Sequence, residues 1–248
     1  MKIILCGCSG RMGRAVAEYC AEKNIEIAAG VDLSPLENAA FPVFSDIGGY
    51  SGDADAIIDF SSPKALDGLL SYAGRRDIPL VLAVTGYTGA DLEKIRDFSV
   101  TRRVFRSPNM SLGIALLTSL VKKAAAVEGY DAEIVEKHHR NKLDAPSGTA
   151  LLLAEAIREV RGGRLVKGRA ASEEKHRRGD DEIGIASVRG GTIVGEHDVI
   201  FAGEGETITV SHTAENRGIF ASGAVTAARF LINRSPGKVY TMEDIIDG

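Results

Sequence analysis

The chain has 248 residues, 44% hydrophobic and 26% charged, a size and composition that suit two modest globular cores better than one. A net charge of −4 and a pI near 5.8 exclude the basic excess with which proteins track nucleic-acid phosphates. No apolar run approaches the ~18 residues of a membrane span, so neither nucleic acid nor membrane is expected as a partner, and the three cysteines, Cys6, Cys8 and Cys20, lack a disulfide framework and predict a reducing, cytoplasmic setting.

Met1 to Cys6 begins like a signal peptide but meets Gly7 and Arg11 before an apolar region forms, so it reads as a first strand. Cys6 and Cys8 have no second pair downstream and are read as packing residues, with no metal expected. Short, nearly continuous apolar runs then predict strands at 2–6, 26–31, 56–59, 79–84 and 103–106. Amphipathic stretches at 11–23, 63–76 and 90–98 predict the helices between them. Alternation of this kind builds a parallel sheet from βαβ units. After Pro108 the rhythm changes to a helix at 113–128, a strand at 132–137, a helix at 147–160 and strands at 183–188, 192–201 and 207–212. Turn signals at Gly190-Gly191 and Gly203-Glu204-Gly205 separate the last three, as in an open mixed sheet. The run from Glu173 to Glu182, which contains His176, mixes charges of both signs and is expected to be a solvated loop. A final helix is expected at 218–233.

Gly7-Cys8-Ser9-Gly10-Arg11-Met12-Gly13 lies directly between a predicted strand and a predicted helix, the setting of a dinucleotide loop. Glycine allows the tight turn, and the helix start offers N–H groups and a positive dipole end to a pyrophosphate. The second strand ends in Asp32, at the distance expected of an acid that binds the adenine ribose. The alternative reading of Asp32 is a turn-initiating residue before Ser34. An aspartate repels a 2′-phosphate and Leu33 brings no cation, so the pair favours NADH over NADPH, although Arg11 lies near enough to meet a phosphate. The fold class is therefore α/β: a Rossmann-type domain followed by an α+β domain.

The segment from Glu136 to Ala150, EKHHRNKLDAPSGTA, is dense in groups that move protons or bind anions. A strand leads into His138 and His139, Lys142 follows, and Ser147 is placed to cap a helix whose first amides, at Gly148 and Thr149, face an anion. Adjacent histidines on a strand point to opposite faces, which argues against a shared metal. His197 and His212, on predicted strands, are read as satisfied structural histidines.

This segment resembles the signature of the 4-hydroxy-tetrahydrodipicolinate reductase family, E-x-H-H-x-x-K-x-D-A-P-S-G-T-A. Further matches are Gly-Cys-Ser-Gly-Arg-Met-Gly-Arg at 7–14, Ile58-Asp59-Phe60, Thr85-Gly86-Tyr87, Pro108-Asn109-Met110-Ser111, Val194-Gly195-Glu196-His197 and 220–225, in the family's order. The resemblance implies an NAD(P)H-dependent oxidoreductase of lysine and diaminopimelate biosynthesis that acts on a cyclic dicarboxylate imine. It implies acid/base chemistry at His138, proton donation by Lys142, and substrate binding by His139, Gly148 and Thr149. Gly7, Cys8, Ser9, Gly10, Arg11, Met12 and Asp32 would hold the dinucleotide. Ala83, Val84 and Thr85, with Ser107, Pro108, Asn109 and Met110, would line its nicotinamide side. The family also implies that residues 1–110 and 218–248 form the nucleotide domain, that 111–217 bind substrate and assemble a homotetramer, and that a hinge joins them near Pro108-Asn109 and Arg217. Two departures bear on the cofactor: Ala83-Val84 stand where the family commonly has Gly-Thr, and Ser61-Ser62 lack an arginine that some members carry. Two rival readings are a nucleotide-sensing protein without catalysis and another two-domain amino-acid or semialdehyde dehydrogenase; decay of the His138–Lys142 segment would mark the first, and a different second-domain motif the second.

Overall fold

The computed structural model describes residues 1–34, 39–169 and 177–248. The chain forms two compact units, Met1–Leu112 with Arg217–Gly248, and Gly113–Asn216.

In the first unit the elements run β1 (Lys2–Cys6), α1 (Arg11–Glu22), β2 (Glu26–Val31), β3 (Val43–Phe44), β4 (Ala56–Asp59), α2 (Leu66–Arg76), β5 (Leu80–Leu82), α3 (Gly89–Ser99) and β6 (Val104–Arg106). The second unit holds α4 (Leu112–Ala125), β7 (Asp131–His138), α5 (Gly148–Arg161), β8 (Arg164–Lys167), β9 (Glu182–Arg189), β10 (Gly195–Ala202) and β11 (Thr207–Ala214). The chain then returns to the first unit with α6 (Gly218–Ile232), β12 (Val239–Tyr240) and α7 (Met242–Asp247).

The first sheet has seven parallel strands in the order β12-β6-β5-β4-β1-β2-β3. From β1 the chain winds outward to β3, then restarts at β4 on the other side, so the order reverses between β1 and β4. In doubly wound folds the ligand crevice opens at that reversal, beyond the carboxyl ends of the strands. Ile3, Ile4, Leu5, Ile57 and Ile58 are wholly buried because helices cover both faces of the sheet. On one face Ile57, Leu80, Leu82 and Val104 pack with Leu66, Leu69 and Ile95 of α2 and α3; on the other, α6 lies against α1 and β4. Thr88 and Asp91 cap α3 reciprocally, a device worth ~1 kcal/mol or more.

The second sheet is mixed, in the order β11-β10-β7-β9-β8, with β9 parallel to β7 and β8 and β10 antiparallel to β7 and β11. Alternation along β7 puts Ala132, Ile134, Glu136 and His138 on a buried face, where Leu117 and Val121 of α4 and Leu153 and Ile157 of α5 close the core. Val135, Lys137, Asp198 and Val188 alternate to the opposite face, and Val188 is 45% exposed.

The α/β class with its two sheet types agrees with the sequence. Several local expectations do not. The strand expected to begin at Thr192 begins at Gly195, because the Gly190 amide returns to the His138 carbonyl and Gly191 has a φ of 48°, which makes 190–194 a turn. The strands β3, β8 and β12 have two to four residues, too few for periodicity to show, and were not expected; nor was α7. The solvated loop also needs correction. Residues 173–176, including His176, lie outside the described residues, but Glu182 is buried in β9 and ion-paired to Arg164 and Arg169. Arg178 reaches Asp131 and Glu133. Charges of this run are neutralised by opposite charges 13 to 47 residues away that the sheet brings alongside.

Candidate active site

The loop after β1 is shaped by its glycines. Gly7 has a φ of 75°, and a side chain there would meet the backbone of Phe60 at 2.7 Å. A Cβ at Gly13 would fall 2.1 Å from the Gly7 carbonyl oxygen. Both positions require glycine for β1, β4 and α1 to approach this closely. Gly10 is the N-cap of α1 and makes no side-chain cap, so the helix start is left to an external acceptor. Cys8 is fully buried beneath Gly30 and can meet a ligand through its backbone alone, while Arg11 and Met12 lie in the first turn. Asp32 ends β2 beside this loop: Oδ2 accepts from the Ser9 amide at 3.0 Å and Oδ1 from the Ser34 amide at 3.0 Å. The turn role and the ligand role of Asp32 are thus compatible, since each oxygen keeps a second lone pair. These residues fit a dinucleotide: a side-chain-free turn, an open helix start and a carboxylate at the end of the second strand.

Beyond β5, Ala83 and Val84 are buried and Thr85 is exposed. Beyond β6, the Ser107 hydroxyl donates to the Asn109 carbonyl at 2.6 Å, and the Ser111 amide donates to Asn109 Oδ1 at 2.9 Å. Pro108 is exposed, whereas Met110 is buried, its carbonyl pressed against Gly223 of α6. At the end of β4 stands a polar residue for which the sequence implied no role. Asp59 is fully buried, and burial pushes its carboxyl up to about 6 against the hydrogen bonds from Ser61. Its Oδ2, the Tyr87 hydroxyl and Arg106 Nε are buried without a well-aligned partner among the described residues.

In the second unit, β7 ends at His138 and α5 starts after Ser147, whose hydroxyl accepts from the Ala150 amide at 3.1 Å. Between them stands Glu136, wholly buried. Its Oε2 lies 2.5 Å from His138 Nδ1, and its Oε1 accepts from the Ser147 amide at 3.2 Å. Arg189 of β9 grips both oxygens, at 2.8 and 2.6 Å. Burial alone would raise the Glu136 carboxyl, but hydrogen bonds from Arg189, Ser187 and His138 bring it down to about 2. Ionised Glu136 therefore accepts the Nδ1 proton and places the neutral ring's lone pair on Nε2. Burial lowers the His138 pKa, Glu136 opposes it, and Lys142 and Arg189 add to the lowering.

His139 follows the strand, half-buried. Lys142 sits in the next turn with its ammonium 2.9 Å from Asp144, which Lys142 holds below the usual carboxylate range. Asp144 is 58% exposed, and such partly solvated pairs contribute about 1 kcal/mol or less, so another carboxylate can take its place. Gly148 is exposed at the first position of α5 and Thr149 is half-buried beside it.

Two further residues come from β10. A Cβ at Gly195 would stand 3.0 Å from His138 Nε2. His197 is buried, edge-on to His138 with ring centroids 5.2 Å apart, and its Nε2 meets the Ser147 hydroxyl at 3.1 Å. That contact satisfies the His197 ring, which is neutral; burial, then repulsion by His138, lowers its pKa to about 4. The reading of His197 as satisfied holds. His212 differs, since its Nδ1 is buried with no partner among the described residues.

A doubly wound parallel sheet with a dinucleotide loop at its reversal, and a second unit carrying a carboxylate-held histidine beside a lysine, define a pyridine-nucleotide oxidoreductase acting on a small molecule. The chain matches the family description "Dihydrodipicolinate reductase, N-terminus" over residues 1–110 and "Dihydrodipicolinate reductase, C-terminus" over residues 113–246, and it belongs to the dihydrodipicolinate reductase family. It is 50% identical to a 4-hydroxy-tetrahydrodipicolinate reductase of Caldanaerobacter subterraneus, covering 99% of this chain and 98% of the relative. It is 44% identical to that of Clostridium novyi at the same coverage. Among solved structures, a dipicolinate-bound dihydrodipicolinate reductase from Paenisporosarcina sp. TG-14 superposes with a TM-score of 0.83 at 26% identity, covering 99% of each chain. A probable dehydrogenase from Thermotoga maritima, at 13% identity and a TM-score of 0.61 over 98% of this chain and 92% of its own, shares the fold alone. Among the described residues no helix is long and apolar enough to cross a membrane.

Proposed function

We propose that this chain reduces the cyclic imine 4-hydroxy-tetrahydrodipicolinate to tetrahydrodipicolinate, with the unit of 113–216 holding substrate and the other unit holding the nucleotide. One hydride and one proton are taken up and one water leaves. The reduced nicotinamide supplies the hydride. The observation that supports the reading most directly is the Glu136–His138 pair set against the start of α5. His138, neutral and with its lone pair on Nε2, takes and returns a proton at that atom. Lys142 exchanges Asp144 for a substrate carboxylate and donates a proton nearby. His139 and the helix start at Gly148 and Thr149 bind and orient the carboxylates. The dipicolinate bound to the Paenisporosarcina relative is a ring with two carboxylates, the chemistry this arrangement suits.

On the nucleotide side Gly7, Cys8, Ser9, Gly10, Arg11 and Met12 hold the pyrophosphate, and Asp32 holds the ribose. Ala83, Val84 and Thr85, with Ser107, Pro108, Asn109 and Met110, pack against the nicotinamide. Ala83 and Val84 offer backbone contacts, with no hydroxyl in place of the usual threonine. NADH is the favoured cofactor, because Asp32 repels a 2′-phosphate and Leu33 offers no cation. The outer face of the second sheet, which carries Val188 near the end of β9, is the assembly surface of a homotetramer. Three free, buried cysteines suit a reducing cytoplasm. The test is a steady-state assay with substrate generated by the preceding synthase, comparing NADH with NADPH. Absence of turnover with either cofactor overturns the proposal.

A further inference from the structure

Five donor groups converge on Glu136: His138 from its own strand, the Ser147 amide from the start of α5, and two N–H groups of Arg189 and the Ser187 side chain from β9. The carboxylate spans two parts of the proposed site. One oxygen fixes the imidazole; the other fixes the first residue before the anion-facing helix turn. His197 on β10 touches both parts as well, through the His138 ring and the Ser147 hydroxyl. The Lys142 charge, in the following turn, is near enough to disfavour a proton on His138. We propose that Glu136 is a positioning residue that sets the tautomer of His138 and, through the Ser147 amide, the carboxylate-binding start of α5, so that proton transfer and substrate anchoring share one buried carboxylate. The inference rests on the reading of His138 as the proton-transfer group.

The chemistry of the donors gives a specific expectation for Glu136→Gln, which keeps the shape and removes the charge. Every neighbour of this side chain donates, but an amide has one acceptor oxygen and one donor nitrogen. The oxygen stays where Arg189 Nη2 and the Ser147 amide both donate, so the amide nitrogen takes the place of Oε2, facing His138 and displacing the second Arg189 N–H. The imidazole answers by moving its proton to Nε2 and accepting at Nδ1. That exchange removes the lone pair from the reacting atom. It also removes the one nearby group that raises the affinity of His138 for a proton.

The experiment uses full-length protein labelled with nitrogen-15 at its five histidines and reads tautomers by nuclear magnetic resonance, beside steady-state kinetics. Wild-type His138 should carry its proton on Nδ1 at neutral pH. Glu136→Gln should carry it on Nε2, with kcat lowered about 100-fold, the usual size of an acid/base contribution. KM for substrate should rise several-fold while KM for NADH stays put, a split that general loosening of the fold would not produce. Glu136→Asp, which keeps the charge, should restore the Nδ1 tautomer and much of kcat. A wild-type ring protonated on Nε2 overturns the proposal without any variant, and so does an unchanged ring in Glu136→Gln. A switched tautomer with undiminished kcat instead overturns the proton-transfer role of His138 and leaves the hold of Glu136 on the ring standing.

Discussion

Gly195 faces His138 across the β7–β10 boundary, and a methyl group at that glycine would lie 3.0 Å from Nε2. This contact is tighter than ordinary carbon–nitrogen packing, and it falls on the ring nitrogen that carries the lone pair. The glycine keeps that nitrogen approachable from the side of β10. Gly195→Ala should therefore lower kcat about tenfold or more by displacing the ring, since sub-ångström errors in a reacting group carry such costs. Nothing else crowds this position, so the thermal midpoint should move by a few degrees at most. Kinetics equal to wild type would show that Nε2 is not the reacting atom.

The roles of His138 and Lys142 separate by kinetic constant. His138→Ala and Lys142→Ala should each lower kcat by about 100-fold or more. Lys142→Ala should also raise KM for substrate, because it removes a carboxylate partner. NADH affinity, read by fluorescence titration, should stay within about twofold in both, since the glycine loop lies in the other unit. Near-normal kcat in both variants would remove the proposed chemistry from this segment.

How much of this was legible in the sequence follows from the range of each interaction. The strands β1, β2 and β4 were readable because strands buried on both faces are continuously apolar, and the Gly7–Gly13 loop because its constraints are local. The segment around His138 and Lys142 was readable as a motif, and the Ser147 cap follows from a hydroxyl three residues before the amide it accepts. Glu136 belongs to the same motif but its task was hidden, since Arg189 lies 53 residues away and meets it only through the β7–β9 pairing. Gly195 and His197 were hidden likewise, because an antiparallel register with β7 brings them to the site. Charge in the run ending at Glu182 misled, because composition does not reveal that Arg164 and Arg169 cover that carboxylate.

Cofactor choice turns on Asp32, which also braces the loop through the Ser9 amide. Wild-type protein should bind NADH at least as tightly as NADPH. Asp32→Asn keeps an oxygen for the Ser9 amide and removes the charge, so it should narrow any gap between the cofactors by roughly tenfold, the effect of about 1.4 kcal/mol. Strong NADPH preference in the wild type would assign the dominant contact to Arg11 instead.

Assembly should depend on the uncovered face of the second sheet. Val188 lies on that face opposite Lys137 in the β7–β9 register and is 45% exposed. A carboxylate placed there would have to be desolvated in a sheet-to-sheet contact, which makes Val188 the position where a charge tests this face. Light scattering should report a tetramer for wild type at micromolar concentration and smaller species for Val188→Glu. A wild-type monomer would remove the assembly role from this face.

The buried His197 predicts how stability responds to acid. Its pKa is lowered by burial, and further by His138, to about 4, whereas in the unfolded chain it titrates near 6.5. A depressed folded value means that the unfolded state binds the proton more readily between those limits. The stabilisation is fully present above about pH 6.5 and is lost as pH falls toward about 4, with a ceiling of roughly 3 kcal/mol. Glu136, held at about 2 against an ordinary value of 4.5, adds a further loss as pH falls between those limits. Asp59, whose carboxyl is raised to about 6, works the other way and gains stability as pH falls below that value, so the His197 loss is read by denaturant unfolding as the difference between wild type and a variant that lacks the imidazole. His197→Gln keeps an amide that can pair with the Ser147 hydroxyl in either sense and cannot titrate, so it should lose less stability than wild type over pH 6.5 to 4. Parallel profiles for the two proteins would place the titrating group elsewhere.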